Sequence, residues 1–407
     1  MTNFLIAARN LIRNRRRAAI ALLTIGGAAI AMVLADGFVQ WILWAMREGT
    51  IQSQTGHVQV VRPGYHQGGA ADPFAYVVAQ NRPERRQIEA TPGVKVVAPR
   101  LSLTGLASHE ETSVAFIGEG VDPAKEEDLS KAFRIVQGSN LSGIDAQEVI
   151  LGRGLARALG VEAGATVALL ANTRSGGINA VEAKVAGIFI TGSQAYDNTA
   201  LRLPLGLAQT LTRADGAHAW LVLLDDTERT DAMLRDFRTR YAGAAGELEF
   251  VPWYERADFY NKTVALFSQQ MGVLRAIIAV IIVLSISNLL VMNVLERTGE
   301  IGTLLAIGFK RKRVMQQFAV EGLVLGLIGG GLGVAAGFGL GELISAIGIP
   351  MPPPPGMEEG YTGEIRVTAG VVAQAFAIAF ATTALAGLYP AWKASRLQVV
   401  DALRHNI

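Results

Sequence analysis

Few side chains in this sequence have the type and spacing that chemistry at a site requires. Four of its five histidines (His57, His66, His109, His218) precede residue 220. No two stand at metal-ligand spacing, so solvated or internally satisfied histidines are expected. There is no cysteine, which excludes a disulfide framework, a thiolate nucleophile and Cys-based zinc or iron–sulfur sites. The patterns G-x-S-x-G, H-E-x-x-H and G-x-x-x-x-G-K-[ST] are all missing, so no nucleophile elbow, zinc-protease helix or ATP-binding P-loop is encoded. Leu141-Ser142-Gly143 looks superficially like the start of an ABC signature, but it lies in the soluble part of the chain and has no meaning as one. A net charge of +2 implies no polyanionic partner, nucleic acid included.

What remains is one acid, Glu300, in a short polar–apolar loop, a second acid, Glu321, inside an apolar run, and a ladder of glycines. The loop reads Glu296-Arg297-Thr298-Gly299-Glu300-Ile301-Gly302-Thr303-Leu304-Leu305-Ala306-Ile307-Gly308-Phe309-Lys310. Glu300 to Ile307 predicts a short amphipathic helix with Ile301, Leu304, Leu305 and Ile307 on one apolar side. Gly308 would cap it, followed by basic residues where the helix dipole favours them. Such a helix either docks into a groove on a partner or lies on lipid. In the apolar run, Gly322, Gly326 and Gly330 are spaced by four, as are Gly329, Gly333, Gly337 and Gly341. Two small-residue faces result, for packing within the chain or for a dimer seam. Glu321 is either functional or simply paired with a basic loop residue.

The elements that must carry these residues are membrane helices. Half of the 407 residues are hydrophobic, and they concentrate in four blocks long enough to span a hydrocarbon core, which takes about 20 helical residues. The blocks run from Ala18 to Met46, Ala276 to Leu295, Phe318 to Ile347 and Thr368 to Leu388. A cleaved signal peptide is the rival reading of the first, but the block is too long for one, and Trp41 and Trp44 suit an interfacial belt. At 29 residues it would be about 43 Å long. Asp36 and Gln40 lie in its outer part, so it is read as continuing outside the bilayer as a stalk, with tilt as the alternative. Tyr260 to Arg275 could form a matching stalk. Basic residues set the orientation. The pieces before the first span, between the second and third, and after the fourth hold 13 basic residues and three acids, leaving 24 and 32 for the rest. Both termini and the 296–314 loop are therefore expected in the cytoplasm.

Residues 47–270 are soluble in character. Strand-like runs at His57–Val61, Val94–Ala98, Val114–Ile117, Thr166–Leu170, Val181–Ile190 and Trp220–Leu224 alternate with helical stretches at Glu84–Ala90, Gly154–Leu159, Leu205–Thr210 and Asp231–Tyr241. The predicted fold class is an α-helical membrane domain of four transmembrane helices, the first two extended as stalks, plus an α+β extracytoplasmic domain of two lobes. The expected division is a cytoplasmic lead-in helix 1–17, first span and stalk 18–46, the extracytoplasmic domain 47–270 with an inner lobe at about 121–218, second span 271–295, coupling loop 296–314, third span 315–347, a Pro-rich external loop 348–367, fourth span 368–388 and a cytoplasmic tail 389–407.

These residues together resemble a known family. One span, a large external domain and three further spans is similar to the permeases of the macrolide-exporter, lipoprotein-release and FtsX superfamily of ABC transporters. Arg297-Thr298-Gly299-Glu300-Ile301-Gly302 through Ala306-Ile307-Gly308 resembles that family's coupling-helix motif, and Glu321 its acid at the start of the third span. Tyr389-Pro390-Ala391-Trp392-Lys393-Ala394 with Asp401-Ala402-Leu403 is similar to its C-terminal pattern. Ala8-Arg9-Asn10-Leu11, Asn14 and Arg16-Arg17 resemble its first helix, and Gly118–Pro123 and Gly152–Gly164 resemble stretches of its external domain. Pro352-Pro353-Pro354-Pro355-Gly356 resembles a segment of some lipoprotein-release permeases and is otherwise a rigid loop.

The resemblance implies a non-catalytic subunit of a bacterial inner-membrane transporter. Glu300, Ile301, Gly302, Thr303, Leu304, Ala306, Ile307 and Gly308 would couple to a cytoplasmic ABC ATPase dimer, which would hold the ATP and magnesium that this chain does not bind. The other implied partners are a second permease copy or paralogue, membrane lipids and a periplasmic or lipoprotein partner. The implied work is extraction or export of a lipoprotein, lipid or amphipathic substrate by mechanotransmission, with an FtsX-like switch for a periplasmic enzyme as the alternative.

Overall fold

The computed structural model describes residue 13 and residues 15–69, 71–131, 133–191, 193–244, 247–353 and 360–396. Ala8–Leu11, Asn14, Pro354–Gly356 and Asp401–Leu403 lie outside the described residues. The chain divides into two units. One holds residues 1–44, 263–350 and 362–407, the other residues 45–262 and 351–361.

Long apolar runs can satisfy their backbone in lipid only as helices, and among the described residues four helices are long and apolar enough to cross a membrane. With the short helix between the second and third, they are α1 (Arg15–Thr50), α2 (Asp258–Glu296), α3 (Thr298–Ala306), α4 (Arg311–Ile347) and α5 (Ala369–Ser395). Helix α2 is unbroken from Asp258, so Tyr260–Arg275 is helical. Ala21, Ile25, Ala29 and Val33 of α1, Ile282, Ile286 and Leu290 of α2, Leu325 and Val334 of α4, and Ala375 and Ala379 of α5 form one buried cluster. Asp36 is buried in this unit and pairs with Arg275 of α2 at 2.8 Å. A buried carboxylate needs such a partner.

Helix α5 continues through Pro390 to Ser395, beyond the Leu388 limit expected from sequence. Proline removes the hydrogen bond to the carbonyl four residues back, here that of Ala386. The Ser287 hydroxyl of α2 donates to that carbonyl at 3.0 Å. A hydroxyl from a neighbouring helix thus replaces the missing amide.

The other unit is an α/β domain built on a ten-stranded sheet. Its strands are β1 (Val58–Val61), β2 (Val94–His109), β3 (Thr112–Val121), β4 (Arg134–Gly138), β5 (Glu148–Gly152), β6 (Thr166–Asn172), β7 (Ile178–Ile190), β8 (Ala200–Pro204), β9 (Ala219–Leu224) and β10 (Glu249–Pro252). They lie in the order β10-β1-β9-β2-β3-β8-β5-β7-β4, with β6 between β2 and β7. Strand β2 pairs with β9 over Val94–Arg100 and with β6 over Gly105–Ser108. One end of it therefore serves the core around Val97, Trp220, Phe237 and Phe250. The other serves the core around Leu101, Leu103, Phe116, Leu155 and Leu169. The inner lobe expected at about 121–218 thus takes in residues from Leu101 onward. The β2–β3 hairpin feeds it, and turn signals in the sequence cannot reveal a strand shared by two cores.

Three buried charges, Arg100, Glu126 and Arg202, meet the half-buried Glu119 where β2, β3 and β8 come together. Arg100 Nε contacts Glu126 Oε1 at 2.8 Å, Arg202 Nη2 contacts Glu119 Oε2 at 2.9 Å, and Arg202 Nη1 contacts Glu126 Oε2 at 3.3 Å. Arg202 also stacks over Phe133, 3.7 Å from the ring centroid. Arg100 Nη1 reaches the Ser53 and Gln54 carbonyls at 3.4 Å. Burial alone would raise the Glu126 carboxyl, but the two guanidiniums override it and hold it at about 2.

Ser53 and Gln54 belong to a π-helical turn, Ile51–Thr55, that extends α1 to Gly56. At Gly56 φ is +62°, and a Cβ would sit 3.0 Å from the Val222 carbonyl, so glycine suits the bend into β1. The next residue, His57, accepts the Leu224 amide at Nδ1 (2.9 Å). Its proton is therefore on Nε2, which donates to Thr227 Oγ1 at 3.0 Å. The Thr227 hydroxyl donates on to Glu48 at 3.0 Å. Burial, reinforced by Arg47, pushes His57 down to about 4. Between the ordinary histidine value and about 4 the unfolded chain binds a proton that the folded chain refuses. The His57 contribution is therefore complete above about pH 6.5 and is lost as pH falls toward 4. Thermal unfolding of the purified protein should shift to lower temperature across that window, and His57→Asn, whose amide oxygen can accept from Leu224, should reduce the shift to the share left by His218, which burial also holds down to about 4.

Candidate functional site

Helix α3 spans Thr298–Ala306 between α2 and α4. The Thr298 hydroxyl turns back to the Leu295 carbonyl at 2.7 Å, and Arg297 alone separates the end of α2 from the start of α3. Helix α3 ends at Ala306, and the chain turns at Gly308, where φ is +94° and the amide bonds the Leu305 carbonyl at 3.1 Å. Ile301 is the anchor. It is buried among Val294 of α2, Val314 and Phe318 of α4, and Ala391 and Ala394 of α5. Leu305 packs partly against the same cluster. Ile307 does not share that side. It lies past the last helical residue and is 68% exposed. Of the single apolar side expected from sequence, Ile301 and Leu305 face the bundle and Ile307 faces outward, as does the neighbouring Phe309; the side chain of Leu304 lies outside the described ones. Thr303 and Ala306 are exposed as well, and Gly302 is buried.

A chain of charges fixes the helix. Arg13 contacts Glu300 at 3.0 Å, Glu300 contacts Arg297 at 2.9 Å, and Arg297 contacts Glu321 of α4 at 3.1 Å. Arg297 also lies 5.5 Å from the Phe318 ring centroid. The hydrogen bond from Arg297 holds the Glu300 carboxyl below its usual range against the effect of burial. Glu321 is buried and joined to a basic loop residue. Beside this chain, Arg17 of α1 pairs with Glu296 of α2 and bonds Asn293 at 3.3 Å. Sequence reading placed Glu300 and Glu321 but not the Arg297 bridge between them. The three-residue spacing of Arg297 and Glu300 was the available signal.

All seven ladder glycines meet this chain's own helices or connections. A Cβ on Gly329, Gly333 or Gly337 would fall within 3.0 Å of Ile25, Gly26 and Ala29, or Val33 of α1. On Gly322, Gly326 and Gly330 it would face Gly387, Thr383 and Phe376 of α5, and on Gly341 it would meet Val367. Both small-residue faces therefore pack within the chain.

Four apolar helices, an α/β domain inserted after the first of them and a short helix clamped at one end are the architecture of a multi-pass membrane protein. Two family models match it: the MacB-like periplasmic core domain over residues 18–240 and the FtsX-like permease C-terminal over residues 272–399. The first covers more than half of the chain, and the protein belongs to this family, as an ABC transporter permease of the MacB/FtsX type. It is 33% identical over 164 residues to the macrolide export ATP-binding/permease protein MacB of Burkholderia cenocepacia (strain HI2424), covering 37% of this chain and 22% of that protein. It is 30% identical over 247 residues to the uncharacterized ABC transporter permease YvrN of Bacillus subtilis (strain 168), covering 56% of each. The matched regions thus span about a fifth of the first relative and little over half of the second. Among solved structures, the periplasmic region of MacB from Actinobacillus actinomycetemcomitans aligns with 53% of this chain and 95% of its own, at 13% identity and a TM-score of 0.38.

Proposed function

We propose that this chain is the permease subunit of an inner-membrane ABC transporter and couples ATP hydrolysis on a separate cytoplasmic ATPase to work by its extracytoplasmic domain. Helix α3 carries the reading. Ile301 and the Arg297–Glu321 pair fasten it to the bundle, while Thr303, Ala306, Ile307 and Phe309 remain exposed for a partner. A push on α3 would pass through Arg297 into α4 and through Val294 into α2. On this reading the partners are an ATPase dimer and a second permease copy or paralogue, and the cargo is a lipoprotein, lipid or amphipathic molecule. ATP and magnesium reside on the ATPase.

The test is co-expression with candidate ATPases and assay of the purified complex in lipid. Ile307→Asp should abolish co-purification. Arg297→Ala should leave the complex assembled but lower substrate-stimulated ATP hydrolysis at least about tenfold, roughly 1.4 kcal/mol of coupling. An ATPase that binds and responds equally well to both variants would sink the proposal.

A further inference from the structure

The β6–β2–β3 section of the α/β domain has two unlike faces. Leu103, Ala107 and Leu169 point into the core. On the other face Thr104 stands opposite Ile117 and Leu106 opposite Ala115. Leu106 is 46% exposed and Ile117 54%, and Ile178 at the neighbouring end of β7 is 75% exposed. These residues line a cleft of about 590 Å³ with no charged side chain in its wall. Its polar groups are neutral, those of Thr104, Asn172 and Thr199.

The lip of the cleft is an open strand edge. Strand β3 pairs with β8 only over Ile117–Val121. Among the described residues no strand covers Thr112–Phe116 on the side away from β2. The Ile117 amide points to that side, where it meets the Thr199 carbonyl at 2.9 Å. With a period of two, the amide and carbonyl groups of Ala115 and Ser113 point the same way, at exposed positions.

We infer that this cleft and edge take an extended, uncharged segment of a partner protein. The segment pairs with Thr112–Phe116 as an added strand and places an apolar side chain in the cleft. Strand addition uses both features at once, backbone hydrogen bonds for affinity and a side-chain pocket for selection. A hydrocarbon chain would fill the cleft but leave the strand's donors and acceptors unmet under an apolar cover. The absence of charge in the wall selects a neutral segment.

The probe is an N-acetylated, C-amidated hexapeptide of alternating valine and threonine, titrated calorimetrically against the full chain in lipid nanodiscs. Saturable binding is expected, with slowed hydrogen exchange at the Ser113 and Ala115 amides. Ala115→Pro removes an outward donor at an edge position where proline is tolerated. Leu106→Asp places a charge on the cleft wall. Each should weaken binding at least roughly tenfold, or 1.4 kcal/mol, with an unchanged melting temperature. No saturable binding, or no change in exchange at the two amides, overturns the inference. Binding that Leu106→Asp abolishes and Ala115→Pro leaves intact makes the cleft a site for apolar small molecules and overturns strand addition. Self-association of the chain that Ala115→Pro abolishes would assign the edge to a second copy and overturn a foreign partner.

Discussion

Glu126→Ala is expected to destabilise the α/β domain by about 3–5 kcal/mol, the range for removing one member of a buried charge set. The variant strands Arg100 and Arg202, both nearly fully buried, with Glu119 as their remaining carboxylate within this set. It also releases the Ser130 hydroxyl, which now donates to Glu126 at 2.8 Å. Chemical denaturation of the full chain in detergent, followed by near-ultraviolet circular dichroism of Trp220 and Trp253 in the cores, would read the loss. A wild-type midpoint would contradict this account of the sheet centre. The pH dependence has a definite sign. The folded Glu126 value of about 2 lies below the unfolded carboxylate value, so its stabilisation is present above pH 4.5 and is lost as pH falls toward 2. His57 acts in the adjoining window at higher pH, so acid should weaken the domain in two stages.

Gly333→Val is expected to disrupt the membrane bundle, and Gly331→Val, two residues away, to leave it intact. A Cβ at Gly333 would lie 2.6 Å from the Gly26 carbonyl oxygen and 2.7 Å from the Gly26 Cα, whereas at Gly331 nothing lies within 4 Å. The obstacle at Gly333 is backbone and cannot rotate aside, so overpacking of about 1–3 kcal/mol is the minimum, with helix separation the alternative. Detergent resistance and limited proteolysis of the two variants would distinguish them. Equal behaviour would mean that α1 and α4 do not approach at this glycine.

The difference between these two glycines marks what was legible in the sequence. The four apolar blocks and the α+β character of the inserted region could be read because periodicity and length are local properties. The four-residue glycine spacing was equally plain, but the identity of the facing helix was not, since spacing says nothing of partners. Strands β4, β5, β8 and β10 were missed. They are four or five residues long, and Ala200–Pro204 buries a charged Arg202 at its centre and ends in proline, so its composition does not read as an apolar strand. Arg100, Glu119, Glu126 and Arg202 come from separate stretches of sequence, and only the crossing of β2, β3 and β8 makes them one group. The position of α3 was readable from Glu300 to Gly308. Its division into inward Ile301 and outward Ile307 was not, because the helix stops one residue short of Ile307 and the helical period no longer applies there.

The hydroxyl of Ser287 stands in for an amide that Pro390 cannot supply. This makes a side chain on one helix part of another helix's backbone. Rolling α2 away from α5 would leave the Ala386 carbonyl bare in a medium without water, at a cost of several kcal/mol. The two helices are thus spliced at that level, and a displacement arriving at one is shared by the other before either can bend.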